Sequence, residues 1–257
     1  KIGEIMQRLR LTRSIEGSFK RATGLDLEEL SDRWHKTLKE IHFPEMAARE
    51  NLDEIAKALI TQEDGYYNTS PALSPQGDRI AYITTRGAFF DVYLASANDG
   101  KVIRRLVDGQ NNTDFESLRI LSPGITWSPD GQQIALAVKS GPSDAIAVVD
   151  VETAEATHYR IPDIDQIVTV AWSPTGDRIA FEGSMDAASD LFVLDLTTHE
   201  TVNHTNDVFS DHEPAWSPDG TQLVFHSDRG SYTDLGRYRE DNFDMIDHDY
   251  SQADVYR

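Results

Sequence analysis

The stretch AWSPTGDRIAF, residues 171–181, has three near copies in the chain: ALSPQGDRIAY at 72–82, TWSPDGQQIAL at 126–136 and AWSPDGTQLVF at 215–225. The serines of the four copies are spaced by 54, 45 and 44 residues, at Ser74, Ser128, Ser173 and Ser217. A period of about 45 residues is the size of one four-stranded propeller blade, and such blades must stack to bury their faces. The repeat therefore predicts a mainly β protein made of propeller blades.

The centre of each copy is a Ser-Pro-x-Gly turn. Serine accepts hydrogen bonds from nearby amides, proline presets φ, and glycine closes the turn between two strands. We therefore expect the glycines of the last three copies to lie at equivalent tight turns: Gly131, Gly176 and Gly220. A tryptophan precedes the serine in these copies and is expected on the innermost strand, at Trp127, Trp172 and Trp216, with Leu73 replacing it in the first copy.

The fourth copy departs from the pattern. A third strand is predicted seventeen residues after the serine in the first three copies, at Asp91, Ala145 and Asp190. The matching sequence of the fourth copy starts at Asp254, 37 residues after Ser217, so that 20 additional residues intervene. The pattern predicts a partial propeller of about 3.5 four-stranded blades. Because propellers typically have roughly four to eight blades, we expect the intact protein to contain about two to four more.

The first sixty residues are predicted to be helical. Asp26 followed by Glu29 fits a capping box, and an apolar stripe at helical spacing follows it: Leu27, Leu30, Trp34, Leu38 and Ile41. Pro44 is expected to end that helix, and a further helix is expected over residues 45–60. We interpret residues 1–60 as a small helical segment, the tail of an upstream domain.

The charge distribution also divides the chain at this point. Residues 1–60 contain 11 basic and 11 acidic side chains, so residues 61–257 carry the whole net charge of −20. The difference predicts two domains, the helical segment 1–60 and the propeller blades 61–257. An acidic surface repels phosphate backbones, which excludes nucleic acid as a partner. It is typical either of a halophilic source or of an ordinary acidic propeller.

Composition narrows the possible chemistry. The chain has no cysteine, which excludes disulfides, thiolate metal sites and cysteine nucleophiles. No apolar run is longer than the five residues at 145–149, so no membrane span is predicted. His199-Glu200 and His212-Glu213 lack the second histidine of H-E-x-x-H, and G-x-S-x-G and phosphate-loop motifs are absent. Paired carboxylates for glycoside hydrolysis stay open, since the sequence does not say which aspartates face one another.

Two groups of residues are candidate sites. Loops at a propeller entrance commonly bind partners, and the candidates there are Tyr66, Tyr67, Asp211, His212 and Glu213. The alternatives are that the tyrosines pack on the helical segment and that the others are solvated rim residues. The insertion holds a second group, whose oxygens could bind calcium: Asp241, Asp244, Asp247 and Asp249. A solvated acidic loop is the alternative, and no motif in the chain requires a cofactor.

The stretch TNDVFSDHEPAWSPDGTQLVFHSD, residues 205–228, resembles the TolB-type (WD-repeat-like) β-propeller family. The resemblance extends over residues 61–257. It implies a non-catalytic module that binds a protein or peptide, in the bacterial periplasm or cell envelope. Such propellers also occur as non-catalytic domains attached to peptidases.

A second, shorter resemblance concerns FKRATGLDLEELSDRWHKTL, residues 19–38, which is similar to the helical C-terminal end of peptidase-MA-like (gluzincin-type) metallopeptidase domains. It covers none of that family's catalytic motif. The alternative that it implies is a propeller that guides substrate for a zinc metallopeptidase whose catalytic domain lies upstream. The sequence therefore leaves open whether the full-length protein is an enzyme.

Overall fold

A computed structural model describes residues 2–12, 14–47, 55–111, 113–120, 124–185, 188–232, 244, 246–250 and 253–257. The chain divides into two compact units, Lys1–Ala58 and Leu59–Arg257. The first unit contains helices and the second contains β-sheets, so each is described by itself.

The first unit has three described helices: α1 (Ile2–Thr12), α2 (Ile15–Thr23) and α3 (Leu27–Ala47). The predicted capping box is confirmed, since the amide of Glu29 donates to Asp26 Oδ1 at 2.9 Å and the amide of Asp26 donates to Glu29 Oε2 at 3.2 Å. Gly24 ends α2 with φ of 81°, a left-handed conformation that suits glycine. No helix among the described residues is long and apolar enough to cross a membrane.

Two predictions about the helices need correction, one about Pro44 and one about the bounds of a separate helix. Pro44 does not end α3, which continues to Ala47. A proline removes one backbone donor, and the helix tolerates this loss within its last turn. The separate helix expected over residues 45–60 does not have the predicted bounds, because residues 45–47 belong to α3 and residues 56–60 are not helical, whereas Ile55 is helical. Residues 48–54 lie outside the described part of the chain.

In the part of the second unit that the structure describes, sixteen strands form four antiparallel sheets. Blade 1 has β1 (Asn68–Leu73), β2 (Arg79–Thr84), β3 (Asp91–Ser96) and β4 (Val102–Val107). Blade 2 has β5 (Ser117–Leu118), β6 (Ile125–Trp127), β7 (Gln133–Ser140), β8 (Ser143–Asp150) and β9 (Ala156–Arg160). Blade 3 has β10 (Gln166–Trp172), β11 (Arg178–Met185), β12 (Ala188–Asp195) and β13 (Thr201–Asn203). Blade 4 has β14 (Asp211–Trp216), β15 (Leu223–Ser227) and β16 (Asp254–Tyr256).

Strands follow one another in sequence order across each sheet, as the propeller prediction requires. In blade 2 the innermost strand is split, so that β5 and β6 both pair with β7. Blade 4 contributes three described strands, which completes about 3.5 blades. The predicted fold, a partial propeller preceded by helices, is confirmed.

The four Ser-Pro-x-Gly turns have the same backbone path. In each, the glycine amide donates to the serine carbonyl at 2.9 Å, and the glycine has φ between 69° and 86°. Three of the serine hydroxyls also accept the amide five residues later, at Arg79, Gln133 and Gln222. The prediction for these turns is confirmed, and the positive φ explains why the last position is glycine.

Adjacent blades are joined by the tryptophans. Trp127 donates its indole N–H to the Ala72 carbonyl of blade 1 at 2.9 Å, and the Arg79 guanidinium lies 5.5 Å from the Trp127 ring centroid. The same arrangement joins blades 3 and 4, through Trp216, Ala171 and Arg178. Both arrangements place a cation over an aromatic face.

Trp172 differs from the other two tryptophans. Its indole N–H donates to the Gly176 carbonyl of its own turn at 3.1 Å. Blade 2 has Gln133 where blades 1 and 3 have an arginine, so it provides no guanidinium for the Trp172 ring. The expectation of equivalent places therefore fails for the indole of Trp172.

The hydrophobic core lies between blades. One buried cluster joins blades 1 and 2, and a second joins blades 2 and 3. In the second cluster the rings of Phe181 and Phe192 are stacked, with centroids 5.3 Å apart.

Two faces of the propeller unit differ in what they contain. The turn face holds the Ser-Pro-x-Gly turns and the turns between the third and fourth strands, which are hydrogen-bonded to each other, for example from the Ala97 amide to the Asp78 carbonyl at 2.8 Å. The entry face holds the beginnings of the innermost strands and the loops between the second and third strands. These segments are also bonded to each other, for example from the Thr85 amide to the Tyr67 carbonyl at 3.0 Å.

A buried aspartate holds each connection between blades at the entry face. Asp91 accepts the Gly109 amide at 2.9 Å, and Asp144 accepts the Ile167 amide at 2.9 Å. Asp190 accepts the Thr205 hydroxyl at 3.1 Å. Each aspartate belongs to the third strand of one blade. Its partner lies in the connection that leads to the next blade (Gly109 and Thr205) or in the first strand of that blade (Ile167).

Candidate functional site

The predicted partner-binding residues lie on the entry face, at the beginnings of β1 and β14. Tyr66 and Tyr67 are 74% and 58% exposed, and their rings meet edge to face with centroids 4.8 Å apart. The backbone of Tyr67 is held by Thr85, whose hydroxyl accepts the Tyr67 amide at 3.0 Å. The two tyrosines therefore form a backbone-anchored aromatic pair that is open to solvent.

His212 contacts a buried carboxylate of the neighbouring blade. Its Nδ1 lies 2.9 Å from Oε1 of Glu182 on β11, and the Thr169 hydroxyl donates to the other oxygen of Glu182 at 3.3 Å. The hydrogen bond to Glu182 raises the pKa of His212, and partial burial opposes this effect. This contact joins blades 3 and 4 through two ionisable side chains.

We expect the imidazole of His212 to titrate above its ordinary pKa of about 6.5, and the E182Q substitution to lower that pKa because it removes the carboxylate charge. The stabilisation by the pair is complete below the unfolded pKa and is lost as the pH rises through the raised folded pKa. NMR titration of the His212 ring measures this directly. The E200Q variant, which changes an exposed carboxylate on the turn face, is the control. Equal His212 pKa values in wild type and E182Q would contradict the assignment.

Glu213 follows His212 in a strained part of β14. Its φ is 52°, an uncommon value for a residue with a side chain, and Pro214 follows it in a β-bulge. The amide of Glu213 donates to Glu182 at 3.3 Å, and its carboxylate lies 3.7 Å from Nδ1 of His226 on β15. Blade 1 has the same combination at Ser70, with φ of 51°, followed by Pro71 in a bulge. The strain is therefore a feature of the repeat, and partner binding by Glu213 stays a prediction.

The position of Asp211 does not fit its predicted role in partner binding. Its side chain is fully buried and accepts Nη2 of Arg229 at 2.6 and 2.7 Å. A buried ion pair does not contact a partner, so the prediction of partner binding is kept for His212 and Glu213 and not for Asp211.

Arg229 is the centre of a buried charged cluster. Among the described residues, one group of carboxylates is close enough together to hold a metal ion. Its oxygens lie within 4.8 Å of one another and belong to Asp190, Asp207 and Asp211. Nη1 of Arg229 lies 3.1 Å from Asp207, so the guanidinium already supplies positive charge there. Burial raises the pKa of Asp207, and Arg229 opposes that shift. The guanidinium also lies within 5.6 Å of three aromatic ring centroids: Phe209, Phe225 and Tyr256. We interpret the cluster as structural.

The predicted calcium residues are only partly described. Asp241 lies outside the described residues. Asp244 is exposed and accepts the Ile246 amide at 2.9 Å, and Asp247 and Asp249 are also exposed. Among the residues that the structure describes, the carboxylates of these three do not come as close together as those of Asp190, Asp207 and Asp211. Calcium binding by the insertion stays a prediction.

Sequence reasoning missed Glu182, His226 and Arg229. Glu182 and His226 occupy the same position of the repeat, which is apolar in blades 1 and 2, at Ile83 and Ala137. An ionisable side chain at a position that is apolar elsewhere in the repeat was the available signal. Arg229 gave no comparable signal, because the first copy also has an arginine, Arg86, at the same position of the repeat.

The family model of the TolB β-propeller domain matches residues 105–246. The crystal structure of TolB from Acinetobacter baumannii aligns with 25% identity over 60% of this chain and 37% of that chain, with a TM-score of 0.49. A putative TolB from Agrobacterium tumefaciens aligns with 20% identity over 64% of this chain and 55% of that chain, with a TM-score of 0.52, a likeness of fold. The chain thus spans 37% and 55% of these two proteins. No curated protein matches it.

Proposed function

Because this chain belongs to the TolB β-propeller domain family, we propose that it is a non-catalytic module of a larger protein and that its entry face binds a protein or peptide. The observation that carries the proposal is the exposed Tyr66–Tyr67 pair. Tyrosine is enriched among the residues that dominate binding energy, since it buries a large area and offers a hydroxyl. The anchored backbone of Tyr67 reduces the entropy cost of ordering the pair.

The two faces of the propeller unit differ in a way that supports this choice. On the turn face, hydrogen bonds from turn serines and threonines lower the pKa of one aspartate in each copy: Asp78, Asp130, Asp177 and Asp219. These aspartates are strongly hydrated charges, which are depleted from interface cores. The entry face instead presents the exposed rings of Tyr66 and Tyr67 on blade 1 and the ionisable side chains of His212 and Glu213 on blade 4. It therefore offers both an apolar anchor and polar contacts.

We expect peptides selected on the wild-type chain from a displayed random library to bind the double variant Y66A/Y67A at least about tenfold more weakly, which corresponds to about 1.4 kcal/mol. The reason is the loss of both aromatic anchors. The control is I103A, which truncates an exposed apolar side chain on β4, away from the entry face. Affinities are measured by surface plasmon resonance. Selected peptides that bind the wild type and Y66A/Y67A equally would contradict the proposed site.

The cellular setting that we propose is the bacterial periplasm or cell envelope, from the resemblance to TolB-type propellers. Fractionation of cells that produce the full-length protein tests this setting. A halophilic source is a further proposal, supported by the net charge of −20, and predicts a higher melting temperature in molar KCl than in dilute buffer. Calcium binding by Asp241, Asp244, Asp247 and Asp249 predicts a rise in melting temperature with added calcium, which D244N/D247N abolishes.

A second candidate function is substrate guidance for a zinc metallopeptidase domain upstream of this chain. It is supported by the segment 19–38, which forms most of α2 and the first half of α3. An H-E-x-x-H motif in the sequence before Lys1 would favour it. Under this proposal the chain by itself hydrolyses no peptide in the presence of zinc, and removal of the propeller from the full-length protein changes KM more than kcat.

A further inference from the structure

Two histidines of blade 4 lie directly opposite each other on neighbouring strands. His212 of β14 and His226 of β15 are paired in the antiparallel register. Directly opposed residues have β-carbons about 4.5–5.5 Å apart, and their side chains share one face of the sheet. The two side chains are 42% and 51% exposed. Both imidazoles are therefore accessible to a small ligand from solvent.

Glu213 adds a carboxylate to the same place. Its Oε2 lies 3.7 Å from Nδ1 of His226. Zinc ligands lie about 2.1 Å from the ion, which puts two ligand atoms on a tetrahedral ion roughly 3.4 Å apart. Glu213 and His226 are thus already separated by close to the distance that two ligands of one zinc ion require.

Glu182 holds His212 in the orientation that a metal ligand needs. The buried carboxylate of Glu182 lies at hydrogen-bond distance from Nδ1 of His212, which places the proton on Nδ1 and leaves Nε2 with a free electron pair when the ring is neutral. Metal-binding histidines commonly donate their other ring N–H to a carboxylate in this way. The ligand atoms of His212, His226 and Glu213 do not all lie within 4.8 Å of one another among the described residues. Binding of one ion therefore requires the half-exposed side chains of His226 and Glu213 to turn toward His212.

We propose that His212 Nε2, His226 and the Glu213 carboxylate bind one divalent transition-metal ion, with zinc as the expected ion, and that Glu182 is a positioning residue. Imidazole ligands select zinc and related transition metals over calcium and magnesium, which take oxygen ligands. Two carboxylates, Glu182 and Glu213, balance the charge of a divalent ion. The proposal stands independently of the partner-binding function.

The test is isothermal titration of the metal-free chain with zinc chloride at pH 7.5. We expect one site in the wild type that survives an excess of calcium and magnesium. H226A and E213Q should bind zinc at least about tenfold more weakly. E182Q, which keeps all three ligands, should bind about 10- to 100-fold more weakly, as other second-layer changes do. H204A, which removes an exposed histidine at the end of β13, is the matched control and should bind within twofold of wild type.

Two further measurements separate ligation from folding. Cobalt titration followed by visible absorption reports nitrogen ligands directly, and its spectrum should change in H226A but not in H204A. H226A should keep the wild-type melting temperature in the absence of metal, since its side chain is half exposed. Equal zinc affinity in the wild type, H226A and E213Q would overturn the proposal, as would absence of zinc binding by the wild type.

Discussion

Replacement of Arg229 by alanine is expected to lower the free energy of unfolding by about 3–5 kcal/mol. Arg229 is buried, and its guanidinium contacts the buried carboxylates of Asp207 and Asp211. Without the guanidinium these carboxylates become uncompensated charges in a site that water does not reach, and such charges cost far more than an exposed ion pair contributes. Urea denaturation of both proteins at pH 7 measures the difference.

Three variants make the Arg229 experiment specific. K101A removes a cation that is exposed to solvent and should change stability by no more than about 0.5 kcal/mol. R229K keeps the charge but not the forked geometry, so it should fall between wild type and R229A. The double variant R229A/D211A should lose less than the sum of the two single losses. Additivity within about 0.5 kcal/mol would show that the two side chains do not stabilise each other.

Replacement of Phe181 by alanine is expected to cost about 3–5 kcal/mol. Phe181 is fully buried in the cluster between blades 2 and 3, where its ring stacks on Phe192. Because blades bury their faces only against each other, a cavity there weakens the contact between two blades and not only one strand. Thermal and urea unfolding should both show the loss.

The control for Phe181 is Leu73, which lies on the innermost strand of blade 1 and is 59% exposed. L73A should change the free energy of unfolding by no more than about 0.5 kcal/mol, since little apolar area leaves the core. A similar loss in L73A and F181A would contradict the described packing of blades 2 and 3.

Local hydrogen bonding explains why so much of the fold could be predicted. The Ser-Pro-x-Gly turns are closed by bonds between residues at most five apart, so a short sequence determines them. The capping box at Asp26 and Glu29 is equally local. Pro44 was misjudged because the loss of one donor is tolerated when the rest of a helix is in place.

The candidate site depends on contacts between residues far apart in sequence. Glu182 and His212 are 30 residues apart and meet because blades 3 and 4 stack. Asp211 looked like a rim residue from its position at the start of β14, but Arg229, 18 residues later, pairs with it in the interior. No local pattern contains this information.

The buried aspartates at the entry face bear on how such a chain can change over generations. Asp91, Asp144 and Asp190 each sit in one blade and hold the segment that enters the next. The sequence of each blade therefore contains the aspartate that binds the segment entering the next blade. Duplication of a whole blade would copy this aspartate as well, so the new blade could bind the segment that follows it without a compensating mutation elsewhere. Gain or loss of single blades is thus an accessible step for a gene of this kind, whereas cuts inside a blade would separate an aspartate from the segment that it holds.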